Sequence, residues 1–356
     1  MIIFSRFVWL ILITSFGLMS RVETGIARSP NHASALPLLT AQTVKAPSQS
    51  TKPLFRIMQD GKYGFIDRTG AIVIPPQFDD LVWGFAGDRA QYKANDQYGF
   101  IDETGAPIIA AKYRLAFGFS DGLALVVLGT KYGYIDKAGT LVIPTQYEEA
   151  QAFKEGLAAV QIGGRWGYVD KTGKVAIPAQ FDYAMAFVDG LAPVLVGEKR
   201  GYIDKTGKMV IQPQWEGDWL SGLWGFSEGF AGIQQNEKWG YIDTTGKVVI
   251  SSQFDQVREF HEGMASVQLD EKWGYIDTTG KVVIPPQFER ADRFSNGLAA
   301  VKMGDRYGYI DPTGKMVIPL QFGLALNFVE GLALVYTEGQ AGYIDQTGTY
   351  VWKPTK

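Results

Sequence analysis

The sequence of 356 residues contains no cysteine and only two histidines, His32 and His261. The lack of cysteine excludes disulfides, thiolate metal sites, thiol nucleophiles and a lipid-modified cysteine near the N-terminus. Basic side chains number 34 and acidic ones 37, a formal net charge of −3, and no block of five like charges occurs. This balance argues against a nucleic-acid-binding surface. We therefore expect no metal site, no cofactor and no nucleic-acid partner.

The apolar run near the N-terminus is short for a membrane span, which takes about 20 residues. It covers residues 7–19, follows Arg6 and leads into a polar stretch, as in a secretory signal. Cleavage after Ala27 is chemically plausible, and an uncleaved segment would act as an anchor. We predict a signal peptide or signal anchor at 1–27 and a flexible, proline-containing linker at 28–52. The expected location is extracytoplasmic (periplasm, cell surface or secreted), with membrane contact only through an uncleaved N-terminal segment.

Glycine is abundant, at 42 of 356 residues, and much of it belongs to an internal repeat. A string recurs nine times, mostly 34 residues apart: a first residue that is aromatic in seven copies, then Gly, Tyr or Phe, Ile or Val, and Asp. The strings begin at Tyr63, Tyr98, Tyr132, Trp166, Arg200, Trp239, Trp273, Tyr307 and Ala341. Such self-similarity at a fixed period is typical of repeat architectures.

Each repeat predicts three short β-strands. The aspartate of the string is followed three residues later by glycine, as in Asp170 and Gly173, which is a turn signal. A β-branched run ending in Ile-Pro usually comes next, and the unit closes with Phe-x-x-Gly and an alternating strand. We interpret the nine aspartates as turn formers, and we expect the glycine after the first aromatic residue to allow close approach of the next unit.

The Trp/Tyr-Gly-Tyr-Ile-Asp core, the lysine often before it (Lys62, Lys131, Lys238, Lys272), the Thr-Gly after it and the closing Gly-Leu-Ala-x-Val resemble the WG repeat, also called the KWG repeat. The resemblance covers about residues 54–352. It implies a binding or scaffolding role without a defined reaction, in a family common in bacterial surface and secreted proteins. The departures from the pattern, such as Arg200 and Ala341 at the first aromatic position, are local.

The repeats leave two all-β architectures open for residues 53–356. Closed rings usually have four to eight blades of four strands, with about 40 residues or more per blade. Nine units of mostly 34 residues leave room for three strands each. We therefore expect tandem three-stranded β-meander repeats in an open β-solenoid or superhelix, with a closed propeller-like toroid as the alternative.

Acidic residues recur directly before the closing glycine of most units. They are Asp121, Glu155, Asp189, Glu228, Glu262 and Glu330. A glycosidase needs one pair of carboxyl groups with unlike pKa values, whereas these acids are equivalent by repetition, which favours a structural role. The Asp-x-x-Gly turns lack the alternating oxygen ligands of a calcium loop. We predict no catalytic residue, and we place His261 at a variable loop position.

The fifth unit carries an insertion between the aromatic residue after Gln and the closing Phe226. Its candidate ligand-binding residues are Trp215, Glu216, Asp218, Trp219 and Trp224. Insertions in repeat arrays often lie on the binding face, although these rings could instead fill a gap in the core. The predicted function is non-enzymatic binding or scaffolding with protein or peptide recognition. The alternative is a cell-surface polysaccharide-binding protein or glycan hydrolase, so the expected partners are a protein, a peptide or a surface glycan.

Overall fold

The computed structural model describes residues 53–81, 84–216 and 225–353. The predicted signal segment and linker, residues 1–52, lie outside this part of the chain. The described residues form nine small antiparallel sheets, here called blades 1 to 9 in chain order. Across the same ranges, no helix has the length and apolar character needed to cross a membrane.

The first three blades are built from ten strands. Blade 1 contains β1 (Phe55–Gln59), β2 (Lys62–Ile66) and β3 (Ile72–Phe78); blade 2 contains β4 (Ala90–Ala94), β5 (Gln97–Ile101) and β6 (Pro107–Tyr113); blade 3 contains β7 (Leu115–Ser120), β8 (Leu123–Leu128), β9 (Lys131–Ile135) and β10 (Leu141–Tyr147).

The middle three blades follow the same order. Blade 4 contains β11 (Leu157–Ile162), β12 (Arg165–Asp170) and β13 (Val175–Phe181); blade 5 contains β14 (Tyr183–Ala184), β15 (Leu191–Val196), β16 (Lys199–Asp204) and β17 (Met209–Glu216); blade 6 contains β18 (Phe230–Gln235), β19 (Lys238–Asp243) and β20 (Val248–Phe254).

The last three blades each have four strands. Blade 7 contains β21 (Gln256–Val257), β22 (Met264–Leu269), β23 (Lys272–Asp277) and β24 (Val282–Phe288); blade 8 contains β25 (Arg290–Ala291), β26 (Ala299–Met303), β27 (Arg306–Ile310) and β28 (Met316–Phe322); blade 9 contains β29 (Leu324–Ala325), β30 (Ala333–Thr337), β31 (Gln340–Ile344) and β32 (Tyr350–Trp352).

The blades close into a nine-bladed β-propeller, because blade 9 packs directly on blade 1. The rings of Phe55 and Tyr343 have centroids 5.5 Å apart, and the Tyr343 hydroxyl donates to the Arg56 carbonyl at 2.9 Å. Ile57 and Leu332 belong to the same buried apolar cluster across this junction. The predicted open β-solenoid or superhelix is therefore wrong. The all-β class is confirmed, and the architecture is the closed ring that we had kept as the alternative.

The predicted three strands per unit are found in blades 1, 2, 4 and 6, whereas blades 3, 5, 7, 8 and 9 have four, because the additional strand needs very few residues. In blade 5 it consists of Tyr183 and Ala184, which pair with Leu195 and Val194. A unit of 34 residues can therefore build a four-stranded blade. Blade 4 has no such strand, but Ala150 still forms an isolated bridge at the equivalent place.

The first strand of a four-stranded blade together with the residues that lead from it to the next strand, or the equivalent residues of a three-stranded blade, is here called the inner strand, and the last strand of every blade the outer strand. Inner strands of consecutive blades are bonded directly to each other, as from Gln151 Nε2 to the Ala184 carbonyl at 3.1 Å and from Ser295 Oγ to the Phe328 carbonyl at 2.6 Å. Blades that radiate from one axis approach most closely near that axis. The inner strands therefore surround the axis, and the outer strands form the outside of the ring.

The glycine between the two aromatic residues of the repeat is required by the outer strand of its own blade. A Cβ atom on Gly167 would lie 2.6 Å from the Ile177 carbonyl oxygen and 2.7 Å from the Ala179 nitrogen. The outer strand is bulged at this point, with register shifts between Trp166 and Tyr168 in its pairing. Our expectation that this glycine admits the next unit is thus wrong, because the close approach comes from within the blade.

The cores lie between neighbouring blades and repeat one contact. The second aromatic residue of the string packs on the phenylalanine that closes the same sequence unit but lies in the next blade, as Tyr168 does on Phe187 with ring centroids 4.9 Å apart. The Tyr168 hydroxyl donates to the Met185 carbonyl of the next inner strand at 2.8 Å. Tyr134, Tyr241, Tyr275 and Tyr309 make the same bond. Tyr343 donates instead to Arg56 of β1, a strand that pairs with β2 as β15 pairs with β16 and so corresponds to the second strand of a four-stranded blade. A buried hydroxyl thereby gains an acceptor while its ring joins two blades.

Candidate functional site

The acids before the closing glycine accept hydrogen bonds from the next blade. Glu262 is the clearest case, because its two carboxylate oxygens accept from the backbone nitrogens of Asn296 at 2.7 Å and Gly297 at 2.9 Å. Equivalent bonds from backbone nitrogens of the next blade are accepted by Asp121, Glu155, Asp189, Glu228 and the side-chain oxygen of Asn296. At the seam, Glu330 forms an ion pair with Arg68 of blade 1. These side chains therefore link consecutive blades near the axis.

These acids act as hydrogen-bond acceptors, and Glu155 shows the effect of the neighbouring donors on the pKa. A hydrogen bond from Lys205 is the largest cause that lowers the pKa of Glu155, and the Gly190 backbone nitrogen adds to it. The Lys205 Nζ and Glu155 Oε2 atoms lie 2.9 Å apart. Glu155 itself has a φ of 51°, and the left-handed turn directs its side chain toward blade 5. The carboxylate is thus stabilised in its ionised form by its neighbours.

The aspartates of the Asp-x-x-Gly turns have the role that the sequence predicts. Asp170 Oδ1 accepts from the Thr172 nitrogen at 2.9 Å, the Thr172 hydroxyl at 2.6 Å and the Lys174 nitrogen at 3.1 Å. The Thr172 hydroxyl is the largest cause that lowers the pKa of Asp170. The turn-forming interpretation is therefore confirmed. Within the described residues, no group of three or more His, Cys, Asp or Glu side chains could hold a metal ion.

Side chains that differ between blades lie on the inner strands, one and two positions before the buried phenylalanine. In blades 3, 4, 5 and 9 these positions carry no charge and hold Phe117 and Gly118, Gln151 and Ala152, Met185 and Ala186, and Leu326 and Asn327. In blades 7 and 8 they hold Arg258 and Glu259, and Asp292 and Arg293. Together with His261, these four charged residues form what we call the charged sector.

Two of the charged residues pair with each other across the blades. Arg258 Nη1 lies 3.5 Å from Asp292 Oδ1. The Arg258 guanidinium also lies over the Trp273 ring, 5.0 Å from its centroid. Arg258 is thereby held by one carboxylate and one aromatic face.

The other two charged residues meet at the imidazole of His261. Its Nε2 atom lies 3.3 Å from Arg293 Nη1 and 3.5 Å from Glu259 Oε2. The His261 side chain is 27% exposed and that of Glu259 is 41% exposed, and Arg293 is exposed as a residue. The sequence placed His261 only at a variable loop position. Aligning the repeats and comparing the positions before the closing phenylalanine would have revealed the whole sector.

The predicted insertion site is only partly described. Trp215 is 4% exposed and belongs to the buried cluster that includes Tyr202 and Phe226. Asp218, Trp219 and Trp224 lie outside the described residues, as does the side chain of Glu216. The structure therefore brings Trp215 into the core between blades 5 and 6.

Arg200 lies in the same junction, at the position where most repeats have an aromatic residue. It is 2% exposed, pairs in register with Trp215 and donates from Nη2 to the Gly232 carbonyl of blade 6 at 2.7 Å. Burial lowers the pKa of this arginine. The Tyr202 hydroxyl beside it is buried and has no hydrogen-bond partner among the described residues. The position whose carbonyl accepts this bond in other blades, residue 224, lies outside them.

Comparison with known proteins identifies the repeat and the fold. The family model for the WG containing repeat matches eight consecutive segments, 63–98, 98–132, 132–166, 166–199, 201–239, 239–273, 273–307 and 307–340. No curated protein matches the chain.

Solved structures similar to the chain share little sequence with it. A crystal structure of the eukaryotic initiation factor is 15% identical, with a TM-score of 0.59 over 85% of this chain and 95% of that one. The dihydro-heme d1 dehydrogenase NirN is 15% identical, with a TM-score of 0.47 over 77% of this chain and 75% of that one. Hsv2 of Kluyveromyces lactis is 10% identical, with a TM-score of 0.40 over 64% of this chain and 90% of that one. The first of these likenesses shows the fold alone.

Proposed function

Because the chain belongs to the WG containing repeat family, we propose that it is a non-enzymatic binding or scaffold protein that recognises a protein or peptide outside the cytoplasm. The observation that carries this proposal is the distribution of the charged side chains. Acids that recur from blade to blade are used to join the blades, whereas side chains that vary are gathered on the inner strands.

The contacts of the recurring acids weigh against general acid–base catalysis. Such catalysis needs a carboxyl group that can exchange a proton with a substrate, and usually a second group in an unlike environment. Both oxygens of Glu228 accept from backbone nitrogens of blade 7, at 2.7 Å and 2.9 Å, and both oxygens of Glu262 do the same from blade 8. These groups serve as links and are equivalent from one blade to the next.

The inner strands suit recognition because a rigid frame holds variable side chains. The phenylalanine that follows the variable positions is buried, as Phe187 and Phe260 illustrate with 0% exposure. Met185 and Leu326 are half-buried and Arg293 is exposed beside this fixed frame. Binding residues are often placed in this way, on irregular segments positioned by a stable scaffold. A partner segment that reaches the axis would meet side chains of several blades at once.

The extracytoplasmic location rests on the predicted signal at residues 1–27. A fusion of the full chain to alkaline phosphatase, which becomes active only after export, tests it. Activity that is lost when residues 1–27 are removed supports export. Equal activity with and without these residues would contradict it.

The binding role is tested by photo-cross-linking from the inner strand. A photoreactive amino acid placed at Met185 of the full chain should capture one protein partner from a cell-envelope fraction. The same group at Val175, which is 48% exposed on the outer strand, is the matched control. Equal capture from both positions, or hydrolysis of a peptide or glycan that ends on substitution of one acid, would contradict the proposal.

The insertion of blade 5 is a second predicted contact, from sequence alone. Replacing Trp219 and Trp224 together by alanine should weaken retention on glycan or peptide arrays if these rings bind a ligand. Unchanged retention would remove the insertion from consideration and leave the inner strands as the binding surface.

A further inference from the structure

The charged sector interrupts a set of inner strands that is otherwise neutral at the two variable positions in the described residues. Repetition does not explain it, since blades 3, 4, 5 and 9 form the same inner strand with neutral side chains. Core packing does not require these charges either, because the phenylalanines that follow them, Phe260 and Phe294, are still buried, at 0% and 1% exposure. A chemical feature confined to two adjacent blades therefore requires its own explanation.

The charged sector has hydrogen-bond donors that are not used within it, and these donors belong to Arg293. Arg258 is held by Asp292 and by the Trp273 ring. Arg293 is exposed, and among the described residues its guanidinium has one polar contact, a nitrogen–nitrogen approach to His261 at 3.3 Å. A guanidinium offers five N–H donors in a planar fork, so most of them are available to a ligand. An imidazole nitrogen is a weak partner for a group that prefers bidentate anions.

We propose that the charged sector binds a carboxylate of the protein partner, an acidic side chain or a chain terminus, through the Arg293 guanidinium. This inference rests on the proposed binding function and names the chemistry that the partner must present. Glu259 acts as an internal competitor in this site. Its carboxylate and the Arg293 guanidinium lie within 3.5 Å of the same His261 nitrogen, so it screens the guanidinium from another anion.

Half-buried apolar side chains on other blades indicate what else the partner must present besides a carboxylate. Phe117 of blade 3 and Met185 of blade 5 occupy the position that Arg258 and Asp292 occupy in blades 7 and 8. In a ring of nine blades, blade 3 lies roughly across the axis from blades 7 and 8, and blade 5 lies a third of the way round the ring from blade 8. A partner segment along the axis would therefore have an acidic side toward Arg293 and an apolar side toward Phe117 and Met185.

Fluorescence anisotropy of a labelled hexaglutamate peptide tests the proposal on the full chain. The peptide should bind the unaltered protein, and R293Q should weaken binding about fivefold, as expected for an exposed charge-assisted contact. E259Q should strengthen binding, because it removes the competing carboxylate. K315Q is the matched control, since Lys315 is an exposed cation of the same blade at the start of its outer strand. It should leave the affinity unchanged.

The contrast between R293Q and K315Q separates recognition from general electrostatics, and the sign of the Glu259 effect separates it from a purely structural role. R293K, which keeps the charge but loses the planar fork, should bind between the unaltered protein and R293Q. Unchanged thermal unfolding of each variant shows that the ring is intact. If R293Q itself unfolds, the contrast between R293K and E259Q decides the question.

Three results would overturn the proposal. They are equal binding of hexaglutamate and hexalysine, equal losses in R293Q and K315Q, and binding of polygalacturonate without binding of hexaglutamate, which would indicate a glycan. None of them affects capture of a protein from Met185 in the cross-linking experiment. Failure of the carboxylate site and failure of the proposed binding function are therefore distinguishable.

Discussion

The hydroxyl of Tyr343 in blade 9 donates a hydrogen bond to the carbonyl of Arg56 in blade 1 at 2.9 Å. Inside the array, the corresponding bond from Tyr275 to the Asp292 carbonyl measures 2.7 Å. The ring thus closes through the same tyrosine position, but the acceptor lies on β1, which pairs with β2 as β15 pairs with β16 and so takes the place of a second strand rather than of an inner strand. Each described sheet is built from one continuous stretch of chain, so no strand is shared across the seam.

Replacing Tyr343 by phenylalanine should lower the free energy of unfolding by about 1 kcal/mol, the usual net value of a buried hydrogen bond. The ring contact with Phe55 remains, so the loss reports the hydroxyl alone. Chemical denaturation followed by tryptophan fluorescence measures it.

Y202F is the matched control, because the Tyr202 hydroxyl is buried and has no partner in the part of the chain that the structure describes. Its removal should leave stability unchanged or increase it, since no bond offsets the desolvation of this group. A loss in Y202F as large as that in Y343F would show that the hydroxyl bond to the next blade is not what stabilises the junction.

Stability should fall as the solution becomes alkaline, because burial raises the pKa of the tyrosines that join the blades. The pKa of Tyr343 is raised from 10.0 to about 12, with desolvation as the largest cause. A group whose pKa is higher in the folded state contributes full stability below its unfolded pKa and loses it as the pH rises through the folded value.

The free energy of unfolding should therefore decrease between about pH 10 and about pH 12. Burial also raises the pKa of Tyr134, Tyr168, Tyr241, Tyr275 and Tyr309. Denaturation curves across this range measure the slope, which should be smaller in Y343F because one titrating group is absent. A stability that is constant above about pH 10 would contradict the burial of these hydroxyls.

The sequence predicts the strands and turns of this fold better than it predicts that the blades close into a ring. Asp170 and Gly173 mark a turn whose geometry depends on neighbouring residues only, so the pattern identifies it. Closure depends instead on the angle between successive blades, which is set by packing such as that of Tyr168 on Phe187 and has no local signal. The two-residue strand of Tyr183 and Ala184 is too short for a periodic pattern, and its omission favoured the open solenoid.

The candidate site was predictable only in part for a similar reason. The repeating acids stand out in the sequence, and repetition itself suggests a structural role for Glu262. Arg293 and Glu259 have no motif, and they become conspicuous only when the inner strands are compared blade by blade. Their meeting at His261 is a contact between units, which a one-dimensional pattern does not contain.

Substituting the repeat glycine Gly167 by alanine should destabilise the protein by about 3 kcal/mol, because the added methyl group would overlap backbone atoms of the bulged outer strand. The nearest of these is the Ile177 carbonyl oxygen, 2.6 Å from the position of the new Cβ. Thermal and chemical unfolding measure the loss. G323A is the control, since the nearest atom to its Cβ would be the Tyr336 carbonyl oxygen at 3.6 Å, an ordinary contact. Equal effects of the two substitutions would show that the bulge yields to a side chain.

Replacing Glu262 by glutamine should lower stability by about 0.5 kcal/mol, because the amide keeps one acceptor oxygen for two backbone donors in a solvent-exposed place. E198Q, at an exposed hairpin position without such a link, should have no effect.

Asp121 links blade 3 to blade 4, far from this junction, so the losses in D121N and E262Q should add in the double variant. Additive and similar losses at several junctions mark the acids as equivalent links. A substitution that abolished a measured activity without lowering stability would instead single out one acid as catalytic, and the non-enzymatic function would then be wrong.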